Sequence, residues 1–380
     1  MRKYFIFILI FVMTFNTNIY AEDNSGGYKS SILMEVTTGK VLTETNSMEH
    51  LKIASVTKVM TILLVFEAID SGRIQMSDIV TVSDHASSMG GSQVFLEPME
   101  KQTVEDLLKS VIIASANDAS VALAEYLSGT EEKFVEAMNQ RAKELGMENT
   151  VYVNACGLDD ENEQYSTAYD VALVTRELTL NHPKVFDYTT IWQDEIIHKT
   201  SRGDEPFGLT NTNKFIRNYD GATGLKTGST SEALFCLSGT ATRDGLSLIT
   251  VVLGADSADI RTKETIKLMD YGFSNFKVES GEQVDKVIST LPIYKGEVDT
   301  VDIYVKENVS TLVSKNSGEI TKEAYVIDNL KAPILAGSKV GEIVYKQGDT
   351  VVNRVDLIVK EDVGKASYYI NLKKLLPIWF

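Results

Sequence analysis

The chain has 380 residues, 43% of them hydrophobic and 24% charged, a composition that supports a large buried core and about two domains. Its formal charge of −16 argues against nucleic acid as a partner, because phosphate binding needs clustered cations. The four histidines, His50, His85, His182 and His198, show no His-Glu-x-x-His or comparable spacing, so neither a metallopeptidase site nor any metal or cofactor is expected.

Along the chain, residues 1–21 combine a basic start at Arg2 and Lys3 with the apolar run Tyr4 to Phe15 and end on Ala21. This reads as a signal peptide for secretion across the cytoplasmic membrane. The run is short for a span of about 20 residues, which favours cleavage over an uncleaved anchor. Lys29 to Thr43 reads as two strands around the turn Thr38-Gly39. A long helix, apolar on almost every side, is expected from Ser55 to Ser71-Gly72. Helices follow at Val104–Ile113, Asp118–Leu127, Glu131–Leu145 (closed by Gly146) and Thr167–Leu180. Leu246–Leu253 is a continuous β run, and Arg261–Gly272 a helix. Residues 28–273 are therefore expected to form a mixed α/β (α+β) domain.

The texture changes near Phe276. Short β runs at Val284–Ser289, Val301–Val305, Ala324–Ile327, Val340–Tyr345 and Val355–Val359 alternate with Gly296, Gly318, Gly337 and Gly348. This predicts a small, all-β, β-sandwich-like domain over 276–363. The tail, 364–380, carries Lys365, Lys373 and Lys374 beside Tyr368, Tyr369, Trp379 and Phe380. Cations beside aromatics on an acidic chain suggest peripheral contact with a membrane surface; a frayed end or a strand docked on the β domain is the other reading. Cys156 and Cys236 lie far apart and outside any Cys-rich framework, so two unpaired thiols are expected.

Three short strings carry the chemistry: Ser55-Val56-Thr57-Lys58, Ser115-Ala116-Asn117 and Lys226-Thr227-Gly228. A serine hydroxyl is a poor nucleophile until a base takes its proton. Residues i and i+3 of a helix share a face, so the Lys58 amine can stand beside the Ser55 hydroxyl. Burial and a second cation, Lys226, would lower the Lys58 pKa and make it a base. The helix N-terminus favours negative charge at Ser55, whose backbone N–H can be one oxyanion donor. Ser115-Ala116-Asn117 follows an apolar helix end and reads as a loop edge pointing into a cleft, with Asp118 as a cap for the next helix. Ser115 would pass the proton to a leaving amine, and Asn117 would hold a substrate amide. Lys226-Thr227-Gly228 reads as an edge strand: Lys226 supplies positive potential, Thr227 donates to a carboxylate, and Gly228 lets a substrate backbone pair along the strand. Ser229 N–H would be the second oxyanion donor. A rival string, Ser274-Asn275-Phe276-Lys277, sits at the expected domain junction and not at the head of a buried helix.

With these strings the chain resembles the serine-type D-alanyl-D-alanine carboxypeptidases, the low-molecular-mass penicillin-binding proteins. The likeness runs from Ser31 to Val363. It rests on Ala54-Ser-Val-Thr-Lys-Val-Met60, Phe95-Leu-Glu-Pro98, Val104-Glu-Asp-Leu-Leu108, Ser115-Ala-Asn-Asp-Ala119, Gly224-Leu-Lys-Thr-Gly228, Val251-Val-Leu-Gly-Ala255 and Gly341-Glu-Ile-Val344. It implies a penicillin-binding, serine β-lactamase-like transpeptidase fold followed by the small all-β domain. It further implies removal of the terminal D-alanine from peptidoglycan stem pentapeptides through an acyl-enzyme on Ser55, and acylation of Ser55 by β-lactams. Catalytic Ser55, Lys58 and Ser115, and substrate-binding Asn117, Lys226 and Thr227, match the family pattern. Arg261 resembles an arginine near the substrate carboxylate, a group that calls for such a cation. Ser229 stands where many members have histidine. Asp170 resembles a family acidic residue, but Tyr169 replaces the arginine often seen before it.

Two other functions share some of these features. A serine β-lactamase would need a carboxylate to activate the deacylating water. Asp159, Asp160, Glu161 and Glu163 are the nearby acids, but no Glu-x-x-x-Asn is present and the extra β domain argues against it. A catalytically weak wall-binding scaffold would not need all three strings intact.

Overall fold

The computed structural model describes residues 26–159, 164–200 and 203–370. The expected signal peptide 1–21, the acids Asp160, Glu161 and Glu163, and the tail beyond Ile370 lie outside the described residues. The chain starts with the hairpin β1 (Ser30–Glu35) and β2 (Val41–Thr45). Buried Glu35 holds its turn, accepting hydrogen bonds from Thr37 N at 2.8 Å and Thr38 N at 2.7 Å. A 3-10 turn over Ala54–Thr57 leads into α1 (Lys58–Asp70), which is buried on nearly every side. There follow β3 (Ile79–Thr81), α2 (Asp84–Ser87), β4 (Lys101–Thr103), α3 (Val104–Ile113), α4 (Asn117–Ser128), α5 (Glu131–Glu144), α6 (Ala168–Asn181) and α7 (Phe186–Thr189). Thr103, Thr130 and Thr167 cap α3, α5 and α6 through their hydroxyls. The hairpin β5 (Gln193–Thr200) and β6 (Gly203–Thr210), then α8 (Phe215–Asn218), precede three long strands, β7 (Ala222–Thr230), β8 (Leu234–Arg243) and β9 (Leu246–Ala255).

The main sheet is antiparallel throughout, in the order β2-β1-β9-β8-β7. Helix α9 (Ala258–Asn275) covers one face and the helical region the other. Side chains of β9 alternate between the two: Ile249, Val251 and Leu253 join the core around α1, while Leu246, Leu248 and Val252 join Leu268, Met269 and Phe273 of α9. Burial on both faces is why β9 reads as an unbroken apolar run. Strand β7 is one of the two edge strands, and it meets the 3-10 turn of Ser55.

Beyond α9 the chain is strand and loop as far as a helical turn at residues 368–370. β10 (Phe276–Ser280) pairs with β13 (Ser310–Ser314). The other strands, β11 (Ser289–Pro292), β12 (Thr300–Val305), β14 (Ile320–Val326), β15 (Lys339–Gln347) and β16 (Thr350–Val359), form a sheet ordered β11-β12-β16-β15-β14 with its own apolar core. Leu312 reaches into the α9 core, and Lys315 Nζ donates to Phe273 O at 2.7 Å.

The structure departs from the sequence reading in several places. The α-helix begins at Lys58, and Ser55 sits in the preceding 3-10 turn, where Val56 N donates to Ile53 O. Val284–Ser289 is a turn and loop fastened by Val284 N to Asn308 Oδ1, and pairing begins only at Ser289. Asp118 does not cap α4. Ala116 holds the N-cap position, and the Asp118 carboxylate accepts instead from Val94 N, Leu96 N and Ala119 N. The β5–β6 hairpin escaped notice because its strands are mostly exposed and polar, without alternation. Cys156 and Cys236 are free thiols, and both are buried.

Candidate active site

The site is built where the head of α1, the loop before α4 and the edge strand β7 meet. Ser55 lies one turn ahead of Lys58, whose side chain is fully buried. Lys58 Nζ donates to Ser55 Oγ at 3.0 Å, Asn117 Oδ1 at 2.6 Å and Cys156 O at 2.7 Å, which uses all three ammonium protons. Burial brings the Lys58 pKa down to about 8, against the raising influence of Cys156 and Asp118. About a tenth of this amine is therefore neutral near pH 7, against well under a thousandth for an ordinary lysine, which is the direction a general base requires.

Close packing fixes the serine turn. Ala54 is in the left-handed region at φ 47°. Gly157, at φ +82°, lies against it so tightly that a Cβ there would stand 2.0 Å from Ala54 O. On the other side a Cβ at Gly228 would meet Ile53 O at 2.7 Å and Ser55 N at 3.0 Å. Glycine at both positions lets the strand and the loop close on the Ser55 backbone.

Lys226, also buried, donates to Ser115 Oγ at 2.8 Å and to Thr227 O at 3.1 Å. Burial, then repulsion from Lys58 and Arg261, holds its pKa well below the usual lysine value. Ser115 adopts φ 63° in the loop joining α3 to α4, an uncommon conformation of the kind that collects at functional sites. Thr227 Oγ1 shares a 2.8 Å hydrogen bond with Thr212 Oγ1. Arg261, near the start of α9, is 8% exposed and donates through Nη1 to Cys236 O at 3.3 Å, while its Nε has no partner.

These groups surround a cleft of about 210 Å³, with Ser55, Ser115, Thr227, Gly228, Ser229 and Arg261 in its lining. Lys58, Asn117 and Lys226 stand behind that lining, joined to it by the hydrogen bonds above. All eight residues singled out in the sequence thus converge on one place. The sequence reading missed four lining residues, Ser92, Thr212, Phe235 and Ala258, and the Cys156 carbonyl. A backbone carbonyl leaves no mark in the residue type. The Gly90-Gly91 pair before Ser92 was the one available hint of a tight approach. The rival string is ruled out: Ser274 ends α9 on the surface, and Lys277 pairs with Glu279. Asp170 caps locally, accepting from Asn149 N and Thr150 Oγ1, and takes no part in the cleft.

Residues 19–257 match the family model described as D-alanyl-D-alanine carboxypeptidase, and residues 276–365 match the model described as penicillin-binding protein 5, C-terminal domain. The D-alanyl-D-alanine carboxypeptidase DacF of Bacillus subtilis (strain 168) is 41% identical over 353 residues, covering 92% of this chain and 90% of that protein. The crystal structure of penicillin-binding protein 5 from Haemophilus influenzae superposes with a TM-score of 0.78 at 30% identity, covering 89% of this chain and 98% of the other. Penicillin-binding protein D2 from Listeria monocytogenes, in an ampicillin-bound form, superposes with a TM-score of 0.55 at 33% identity, over 65% of this chain and 97% of the other.

Proposed function

The chain belongs to the D-alanyl-D-alanine carboxypeptidase family, and from that premise we propose how its own residues remove the terminal D-alanine from a peptidoglycan stem pentapeptide. The observation that carries the proposal is the buried Lys58 amine, 3.0 Å from the Ser55 hydroxyl and with its pKa lowered to about 8. Neutral Lys58 takes the Ser55 proton as Oγ attacks the carbonyl of the penultimate D-alanine. The resulting oxyanion is held by the N–H groups of Ser55 and Ser229, each worth about 3 kcal/mol where such a donor is well aimed. Asn117 receives the substrate amide, and Thr227 and Arg261 receive the terminal carboxylate. Ser115, bonded to Lys226, hands a proton to the departing amine, which leaves as D-alanine, and the proton that Lys58 took from Ser55 passes to Ser115, so that Lys58 is neutral again. Water then releases the acyl group, with Lys58 again as base.

A β-lactam presents an amide in place of the scissile bond and acylates Ser55 by the same route. Its amine stays tethered to the acyl group. Among the described residues no acidic side chain lines the cleft, which supports slow release of that adduct.

The leader supports export, so that the enzyme works outside the cytoplasmic membrane, where its substrate is. The basic aromatic tail supports contact with the outer face of that membrane; Tyr368 and Tyr369 at its start are 85% and 75% exposed. Among the described residues no helix is long and apolar enough to cross a membrane. The acidic surface supports the absence of nucleic acid among the partners.

The test is to incubate the mature protein with a fluorescent penicillin and, separately, with a pentapeptide ending in D-Ala–D-Ala. A covalent label on Ser55 and release of D-alanine are expected, both lost in Ser55→Ala. Rapid penicillin turnover without D-alanine release would instead indicate a β-lactamase, and neither label nor release a scaffold.

A further inference from the structure

Asp118 is fully buried, directly after Asn117, yet the chemistry above does not use it. Its carboxylate receives Val94 N at 3.2 Å, Leu96 N at 3.1 Å and Ala119 N at 2.9 Å. The two amides from the loop flank Phe95, a bulky residue held at φ 61° with 65% of its surface exposed. A left-handed phenylalanine persists only where its neighbours are held firmly, and Asp118 grips the backbone on both sides of it. The same loop is stitched to the head of α4 twice more. Asn117 N donates to Ser92 O at 2.7 Å, and Asn117 Nδ2 donates to Gly90 O at 2.7 Å. Ser92 lines the cleft, and Asn117 Oδ1 receives Lys58 Nζ. The wall 90–96, the amide Asn117 and the base Lys58 are therefore one connected unit with Asp118 behind it.

We infer that Asp118 is a positioning residue of this site, binding the wall 90–96 to α4 and supporting the charged form of Lys58 through Asn117 and its own negative charge. The inference rests on Lys58 being the base proposed above. Among the described residues three titratable groups face Lys58: Asp118 from α4, the Cys156 thiol from the loop after α5, and Lys226 from β7. Burial pushes the Cys156 thiol up, so it stays neutral near pH 7, and the repulsion between the two lysines acts on Lys226, whose pKa it lowers together with burial. Asp118 is thus a negative charge acting on Lys58. Without it, one of the influences that oppose burial is lost, and the Lys58 amine becomes neutral at lower pH.

The experiment compares wild type with Asp118→Asn in two measurements. In the first, the second-order rate of Ser55 labelling by a fluorescent penicillin is followed from about pH 5 to pH 10. The plateau should fall about 10- to 100-fold, the scale for misplacing reacting groups by an ångström, and the midpoint of the acid limb should move to lower pH. A merely structural role lowers the plateau and leaves the midpoint in place; that result, or an unchanged profile, overturns the inference. In the second, amide hydrogen exchange over residues 90–96 should quicken in the variant, and unchanged exchange also counts against the inference. This readout needs no activity, so a wild type that takes no label would sink the proposed reaction while the exchange still reports on Asp118. If Asp118→Asn alone does not fold, the pair Phe95→Gly and Phe95→Gly/Asp118→Asn supplies the same comparison, because glycine adopts the left-handed conformation without strain.

Discussion

Replacing Gly228 with alanine tests the closeness of β7 to the serine turn. Gly228 is absent from the glycines with positive φ, so alanine meets no backbone penalty there and any effect is steric. Its Cβ would stand 2.7 Å from Ile53 O and 3.0 Å from both Ser55 N and Val56 N, all backbone atoms that cannot swing aside. Reaching the 3.4 Å of ordinary contact demands a separation of about 0.7 Å. Strand β7 cannot slide to provide it, because Gly228 is paired with Cys236 on β8, itself locked between two strands. Such overpacking costs about 1–3 kcal/mol, a fall in Tm of about 2–12 °C for a domain of this size. The shift also draws the Ser229 N–H away from the oxyanion, and misplacement on this scale costs about 10²-fold in rate. The assays are thermal unfolding and the rate of labelling by a fluorescent penicillin. Gly208→Ala is the control: it sits in strand β6 with nothing within 4 Å of the added methyl, and both quantities should stay at the wild-type value. Labelling of Gly228→Ala within about threefold of wild type, with Tm unmoved, would refute the argument that Ser55 and β7 are built to touch.

Two further outcomes follow from the charges. The folded-state pKa of Lys58 lies below its unfolded value, about 8 against 10.5. Between those values the unfolded chain binds more protons, so the penalty for burying the ammonium is present in full below about pH 8 and disappears as pH rises toward 10.5. Wild type should therefore gain stability relative to Lys58→Met across that window, on the order of 3 kcal/mol in all; parallel urea-unfolding curves at about pH 7 and pH 10.5 would contradict the assignment. Arg261→Leu should lower kcat/KM about 10- to 100-fold for a peptide with a free terminal carboxylate, mainly through KM, as expected for losing a hydrogen bond to a charged group. A peptide amidated at its C-terminus should be insensitive to the change, and equal losses on both peptides would place Arg261 elsewhere in the mechanism.

Much of this site was legible because its chemistry is written in side chains at short spacing. Ser55 and Lys58 meet whether the turn between them is α-helical or 3-10, since both bring i and i+3 to one side. The early start assigned to the helix therefore did no harm to the site. Strand β7 was readable as an edge because Lys226-Thr227-Gly228-Ser229 mixes large, small and polar residues that a central strand would not carry. What remained hidden depends on the backbone or on distance in sequence. The Cys156 carbonyl is 98 residues from the lysine it serves. Asp118 looked like a cap because an acid early in a helix usually is one, but Ala116 left the cap position to the backbone and the carboxylate turned inward. Beyond α9, the strand expected at Val284 failed because a β-like composition of four or five residues does not determine a pairing partner. Strand β15, set between the turns at Gly337 and Gly348, was found to within one or two residues at its ends, whereas only the second half of β16, where buried positions alternate, was found.

The electrostatics of the cleft tie these parts to substrate choice. Lys58, Lys226 and Arg261 are packed together, and the Lys226 pKa is held down by burial first and then by the other two cations. Their hydrogen-bond acceptors are Ser55, Asn117, Ser115 and the carbonyls of Cys156, Thr227 and Cys236, none of them a carboxylate. A cluster of like charges without a counter-ion in its lining is unfavourable in itself. It persists because helix α1, strand β7 and helix α9 are fixed by cores that the cleft does not control. At long range the chain, at −16, repels an anionic peptide, but that repulsion is screened within about 8 Å at physiological salt. Inside the cleft the local field is positive and poorly solvated. In the proposed reaction a ligand ending in a free carboxylate supplies a counter-charge next to Arg261 and Thr227, and in doing so raises the proton affinity of Lys226. That strengthens the hydrogen bond from Lys226 to Ser115 at the moment when Ser115 must give its proton to the leaving amine. In the proposed reaction the preference for a carboxylate terminus and the readiness of the proton relay then share one physical origin, the positive charge of Lys226 and Arg261 that the fold holds in place with no carboxylate bonded to either among the described residues.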